Sequence, residues 1–275
     1  MTAIQAAILG IVEGLTELLP VSSTGHLILA GHAMGLVGSA VDAFEIVIQA
    51  GALLAVLWLY RGRVGELFAG IFRGDAWGRA LLAKLIVAFL PAAIVGLIAN
   101  DWIKGHLFGP RPVAVALLAG GILILVVERV RHRAHATIAA VGEIPLSGAL
   151  WIGLAQVLSL WPGTSRAMTT MVAALLLGCT PVVAAEFSFL LAIPTLGAAT
   201  LYDLLKHRHE LLGPALGGPA PLIIGLVASA VVAALAIRGF LAYLTSKGLT
   251  PFGWYRIVLG VVLIAVLWTQ PGVLR

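Results

Sequence analysis

The chain has 275 residues, 61% of them hydrophobic and only 11% charged, with a mean hydropathy of +1.08. A soluble domain carries about 25% charged residues, so these residues could not cover a water-facing surface, and a soluble globular fold is excluded. The formal net charge of +5 does not indicate nucleic acid. Its basic residues stand in short clusters between apolar runs (Arg61, Arg63, Arg73, Arg79; Arg129, Arg131, Arg133; Lys206, Arg208), as in loops beside lipid headgroups, not on one basic face.

Met1 to Ala7 contain no Lys or Arg, so no cleavable signal peptide is expected and the N-terminus is read as part of the mature fold. Residues 2–36 are apolar but break at Pro20, passing through Val21-Ser22-Ser23-Thr24-Gly25-His26. A helix of about 12–15 residues rises only about 20 Å, too little for a hydrocarbon layer of about 30 Å. The segment therefore reads as a re-entrant helical hairpin. Three runs long enough to span follow, at about 43–61, 80–100 and 112–130. A second broken segment, 147–178, turns at Pro162-Gly163-Thr164-Ser165-Arg166, and three more runs follow at about 183–203, 219–238 and 254–271. Pro91 and Pro194 inside these runs are tolerable kinks in lipid. Cys179 is the one cysteine, which excludes an internal disulfide and a Cys-rich metal site.

The two broken segments resemble each other. Gly10-Ile11-Val12-Glu13 matches Gly153-Leu154-Ala155-Gln156 in character, hydroxyl residues follow both prolines, and the next run in each copy contains an acid, Glu45 or Glu186. One hairpin plus three spans is an odd number of crossings, so a second copy enters upside down. The expected fold is thus an all-α polytopic membrane protein. It has six transmembrane helices plus two re-entrant hairpins, in one integral membrane domain built as an inverted-topology repeat of about 1–131 and 147–275. With the 61–79 loop cytoplasmic, eleven basic residues, Arg256 included, lie inside and five outside, with Arg166 set apart in the membrane. That bias favours this orientation and places both termini and the mouth of the first hairpin outside.

Glu13 and Glu17, four apart, share one helical face. Two like charges in an apolar medium need a shared proton, a cationic side chain or a divalent metal, and oxygen ligands facing a phosphorylated group suit Mg²⁺ or Ca²⁺. Ser22, Ser23 and Thr24 stand at a helix start, where free N–H groups bind anions. His26 follows as a candidate acid or base, beside a serine that could be a nucleophile. Arg166 is the only basic side chain between Gly153 and Ile193, and its planar fork suits phosphate. Ser165, Thr169 and Thr170 add hydroxyls. A salt bridge from Arg166 to Glu17 is compatible with this role. Glu45 could face the site with Gln49 one turn on, and Glu186 is expected to tie the second hairpin to its span. The tryptophans are expected to be interfacial anchors.

These segments resemble the bacterial undecaprenyl-diphosphate phosphatase family, the one named for bacitracin resistance. The likeness runs essentially end to end. It rests on Glu13-Gly14-Leu15-Thr16-Glu17-Leu18-Leu19-Pro20-Val21-Ser22-Ser23-Thr24-Gly25-His26-Leu27, on Pro162-Gly163-Thr164-Ser165-Arg166, and on the stretches Phe44–Gln49 and Phe187–Pro194. The resemblance implies hydrolysis of a C55 polyprenyl diphosphate at the outer face of the bacterial inner membrane, which recycles the carrier for peptidoglycan synthesis. It also implies a divalent cation, Mg²⁺ or Ca²⁺. Carried over, the acidic pair is Glu13 and Glu17, the hydroxyl nucleophile candidate Ser23, the histidine His26 and the phosphate-binding arginine Arg166. The family's second motif usually continues Ser-Gly after the arginine, whereas this chain has Ala167-Met168.

Expected contacts to the lipid diphosphate are Ser22, Thr24, Ser165, Thr170 and Gln49, with metal ligands Glu13 and Glu17 and catalytic residues Glu17, Ser23, His26 and Arg166. Either Ser23 forms a phospho-intermediate, or His26 and Glu17 activate water. The competing function is a transporter or flippase for polyprenyl phosphate lipids, since broken helices meeting at the midplane are also transporter architecture. A homodimer is left open by the sequence, with no surface stripe to mark it.

Overall fold

The computed structural model describes residues 1–107, 109–131, 136–213 and 216–269. Arg133 and Arg275 of the charge count lie outside the described residues, as do positions 270 and 271 of the last expected span. The first broken segment forms α1 (Ala3–Thr16) and α2 (Ser23–Ala33). Thr2 starts α1 with a reciprocal capping box to Gln5, which satisfies two of the free N–H groups of the first turn. Then come α3 (Ser39–Val47), α4 (Gln49–Leu59), α5 (Arg61–Arg73), α6 (Ala76–Ile98), α7 (Asn100–Leu107) and α8 (Pro110–Arg131). The second broken segment forms α9 (Leu146–Gln156), a 3₁₀ turn at Val157–Leu160, and α10 (Arg166–Leu176). It is followed by α11 (Pro181–Leu211), α12 (Pro219–Leu244) and α13 (Thr250–Thr269). Among the described residues the fold is otherwise helical apart from a bridge between Ile138 and Cys179.

Six helical stretches are long and apolar enough to cross a membrane: Ser39–Leu59, Ala76–Ile98, Pro110–Arg131, Pro181–Leu211, Pro219–Leu244 and Thr250–Thr269. Each overlaps one of the six expected runs, so the protein is a multi-pass membrane protein. The first is broken at Ile48, between α3 and α4, which separates Glu45 from Gln49 by a helix junction. The arms α1, α9 and α10 are shorter apolar helices. Within each broken segment the two arms pack on each other.

Packing runs crosswise between the two halves. Helix α1 lies along α12, and α9 lies along α6. A Cβ on Gly10 would run into the Gly225 carbonyl oxygen, and one on Gly153 into that of Ala88. Glycine at these matched positions lets backbones touch, the contact that drives helix association in lipid.

Three expectations are corrected. Arg256 is fully buried, not a loop charge on the cytoplasmic side, because Gly120 on α8 leaves room for its guanidinium. The charge bias therefore falls to ten against five and keeps its sign. Glu186 does not tie hairpin to span: it accepts from Arg63 Nε at 3.3 Å, because it sits on the face of α11 turned towards α5. Trp161 is half-buried at a hairpin tip and donates to the Pro112 carbonyl at 3.2 Å, so it acts as a packing pin, whereas Trp58, Trp102, Trp254 and Trp268 are exposed.

Candidate active site

Each hairpin turns through a serine in left-handed backbone conformation, Ser22 at φ 75° and Ser165 at φ 73°. Such conformations disfavour a side chain and cluster at functional sites. Each serine caps the helix that follows: Ser22 Oγ accepts from Gly25 N at 3.4 Å and Ser165 Oγ from Met168 N at 3.3 Å. Helices α2 and α10 thus begin at the turns, with first-turn N–H groups facing the junction, an arrangement that favours anions.

The two tips meet. Arg166, 9% exposed, places Nη2 3.0 Å from Glu17 Oε1, across the gap between hairpins. Its Nη1 donates to the Ser188 carbonyl at 3.0 Å and lies 3.4 Å from Ser188 Oγ. Its Nε is buried without a partner. Both terminal nitrogens of the guanidinium are held, while its Nε–H has no acceptor. Thr170 stands behind it, fully buried, its hydroxyl donating to the Arg166 carbonyl at 2.9 Å and lying 2.7 Å from Ser188 Oγ. Thr170 therefore supports the arginine from inside α10, and Thr169 bonds the same carbonyl at 3.0 Å.

Glu17 joins both sides, because its second oxygen accepts from Ser23 Oγ at 2.5 Å, within the short range of charge-assisted O–H···O⁻ bonds. Glu13, one turn earlier, is wholly buried and neither of its carboxyl oxygens has a donor. The charged groups acting on it are Glu17 beside it, then Glu45 and Arg166. Gln49 is half-buried on α4 and Thr24 half-buried in the first turn of α2. Two buried acceptors side by side require a shared proton or a cation. The Glu13 oxygens, buried and without donors, have the chemistry that a hard divalent ion takes. Among the described residues no group of three or more His, Cys, Asp and Glu could hold an ion, so such an ion would need phosphate and water oxygens to complete its shell.

His26 is turned away from Ser23. Its Nδ1 donates to the Ser22 carbonyl at 2.7 Å, which leaves Nε2 to accept from the Tyr255 hydroxyl at 2.5 Å. The two rings stack with centroids 5.7 Å apart. Ser188, Tyr255 and Arg256 were missed as site residues. Ser188 was hidden in an apolar stretch, Tyr255 resembled an interfacial aromatic, and Arg256 resembled a loop charge. Only the placement of Arg256 just inside the apolar run expected at 254–271 could have signalled it.

The bacitracin resistance protein BacA family model matches residues 6–262 of the chain. Similar proteins include an undecaprenyl-diphosphatase of Sorangium cellulosum (strain So ce56), 52% identical over 265 residues, 96% of this chain and 85% of the relative. Another is undecaprenyl-diphosphatase 2 of Rhodospirillum rubrum, 47% identical over 97% of this chain and 95% of the relative. A third, undecaprenyl-diphosphatase 1 of Chromobacterium violaceum, is 44% identical over 96% of each chain.

Proposed function

We propose that this chain, which belongs to the bacitracin resistance protein BacA family, hydrolyses undecaprenyl diphosphate to undecaprenyl phosphate and inorganic phosphate. The observation that carries this reading is Glu17, bonded at once to Ser23 and to Arg166 between two helix N-termini. A hydroxyl, its proton acceptor and a cationic fork on one carboxylate are more than binding a phosphate requires.

In the proposed step Ser23 Oγ attacks the terminal phosphorus and its proton passes to Glu17 Oε2. The bond from that phosphorus to the bridging oxygen breaks, and undecaprenyl phosphate leaves with the electron pair. Water then cleaves the phosphoserine, releasing phosphate and restoring the serine. Arg166 Nε and the first-turn N–H groups of α2 and α10 hold the equatorial oxygens, where preorganised donors stabilise developing charge. A divalent cation, held by Glu13 and the free lone pairs of Glu17, would neutralise the phosphate oxygens and polarise the phosphorus. His26 fixes the Ser22 carbonyl, and so the turn that presents Ser23.

The charge bias and the crosswise packing of α1 on α12 and α9 on α6 support an inverted-topology repeat with re-entrant hairpins. In that arrangement the chain sits in the bacterial inner membrane, and its site opens on the periplasmic side. The polyprenyl tail stays in lipid while the diphosphate reaches the tips.

The test is inorganic phosphate release by detergent-purified protein from long-chain polyprenyl diphosphate, with and without chelator. Turnover that stops with chelator and returns with Mg²⁺ or Ca²⁺ is expected. Folded protein that moves labelled polyprenyl phosphate across vesicles, yet releases no phosphate, would support a flippase instead.

A further inference from the structure

Arg256 is among the largest fully buried side chains of the molecule. It sits in the first turns of α13, and no carboxylate pairs with it among the described residues. Its hydrogen bonds go instead to backbone carbonyls of three separate elements. Nη1 reaches Pro20 at 3.4 Å, and Nη2 reaches Ala116 at 3.1 Å and Gly163 at 2.9 Å. Burying an unpaired guanidinium is expensive, so ordinary packing gives no reason to keep one here.

The positions of those carbonyls supply the reason. Pro20 lies three residues after Glu17 and three before Ser23, and Gly163 lies three residues before Arg166. One rigid planar group therefore holds the two hairpin tips at points equally far along the chain from the two ends of the Glu17–Arg166 ion pair. Gly120 on α8 provides the space, since a Cβ there would collide with Arg256 Nη2. The preceding residue, Tyr255, grips His26 from the same helical turn.

We infer that Arg256 is a positioning residue that clamps the two hairpin tips, so that Ser23, Glu17 and Arg166 stand in register for phosphoryl transfer. The chemical half of this inference rests on the activity proposed above. The mechanical half does not, because the hydrogen bonds of Arg256 go to backbone carbonyls alone and need no substrate to form. Misplacing reacting groups by about 1 Å can cost about 100-fold in rate, and that loss falls on turnover, not on capture of a lipid whose tail binds elsewhere.

The experiment compares wild type, Arg256→Met and Arg256→Lys by kcat and KM for polyprenyl diphosphate and by hydrogen exchange of peptides covering 18–25 and 160–166. Arg256→Met is expected to lose about 100-fold in kcat with KM within about threefold, and to exchange faster at both tips together. Lysine keeps charge and donors but not the fork, so it should recover part of both losses.

The clamp is overturned if Arg256→Met keeps kcat within about threefold of wild type, if activity falls with exchange at both tips unchanged, or if lysine does no better than methionine. Should Arg256→Met fail to fold, Arg256→Lys decides: reduced kcat with faster exchange at both tips supports the clamp, and wild-type values for both overturn it. A wild type that releases no phosphate would defeat the proposed activity, while tip exchange would still decide the clamp.

Discussion

Ser23 Oγ lies 2.5 Å from Glu17 Oε2, and the other oxygen of that carboxylate lies 3.0 Å from Arg166 Nη2. The hydroxyl and the guanidinium come from different hairpins, 143 positions apart in the chain, and one carboxylate orients both. The proton of the candidate nucleophile therefore has an acceptor in place, and that acceptor is Glu17. His26 is occupied by Ser22 and Tyr255.

Glu17→Gln should lower kcat by about 100-fold or more, the usual scale for losing a general base. It should also destabilise the fold by about 3–5 kcal/mol, because Arg166 is left buried without its counter-charge. Phosphate release and thermal unfolding measure the two effects. Cys179, fully buried, with its thiol pushed up to about 11 by burial, is an internal control: it should resist maleimide in any folded variant.

Arg166→Lys should be nearly as inactive as Arg166→Ala. The arginine spans two anchors, Ser188 through Nη1 and Glu17 through Nη2, and in the proposed reaction its unpartnered Nε would bond phosphate. A compact ammonium cannot do all three, and losing one such donor at a transition state costs about 3 kcal/mol, or about 100-fold in kcat/KM. Arg166→Lys within about threefold of wild type would reduce the residue to charge balance.

Glu13→Gln separates stability from function. Both Glu13 oxygens are buried without donors beside a second acid, so an amide relieves repulsion, and the melting temperature of metal-free protein should rise or hold. Activity should fall, and the concentration of Mg²⁺ or Ca²⁺ needed for half-maximal rate should increase. Undiminished turnover in excess EDTA, after verified metal removal, would sink the cation assignment.

Gly10→Val and Gly153→Val should both destabilise, by about 1–3 kcal/mol or more as overpacking does, since each Cβ meets a facing backbone oxygen. Similar losses from the two variants would agree with matched roles in the two halves. A tolerated Gly153→Val beside a damaging Gly10→Val would argue against the repeat. Thermal unfolding in detergent makes the comparison.

What could be read along the chain was whatever depends on local composition. The six spans follow from the length of apolar runs, and helix ends from prolines and hydroxyls. Glu13, Glu17, Ser23 and Arg166 stand out because charge and hydroxyls in an apolar run are costly without a use. Which group meets which depended on chain segments more than 100 residues apart, and no spacing rule reaches that far. Thus His26 turns to Tyr255, 229 positions away, and Glu186 pairs with Arg63, 123 positions away. Arg256 shows the limit most clearly. In sequence it is one more basic residue near a span end, where a loop charge is the ordinary case. The tertiary structure alone brings Pro20, Ala116 and Gly163 around it, because carbonyls from three elements converge only once the two hairpins have closed against α8 and α13.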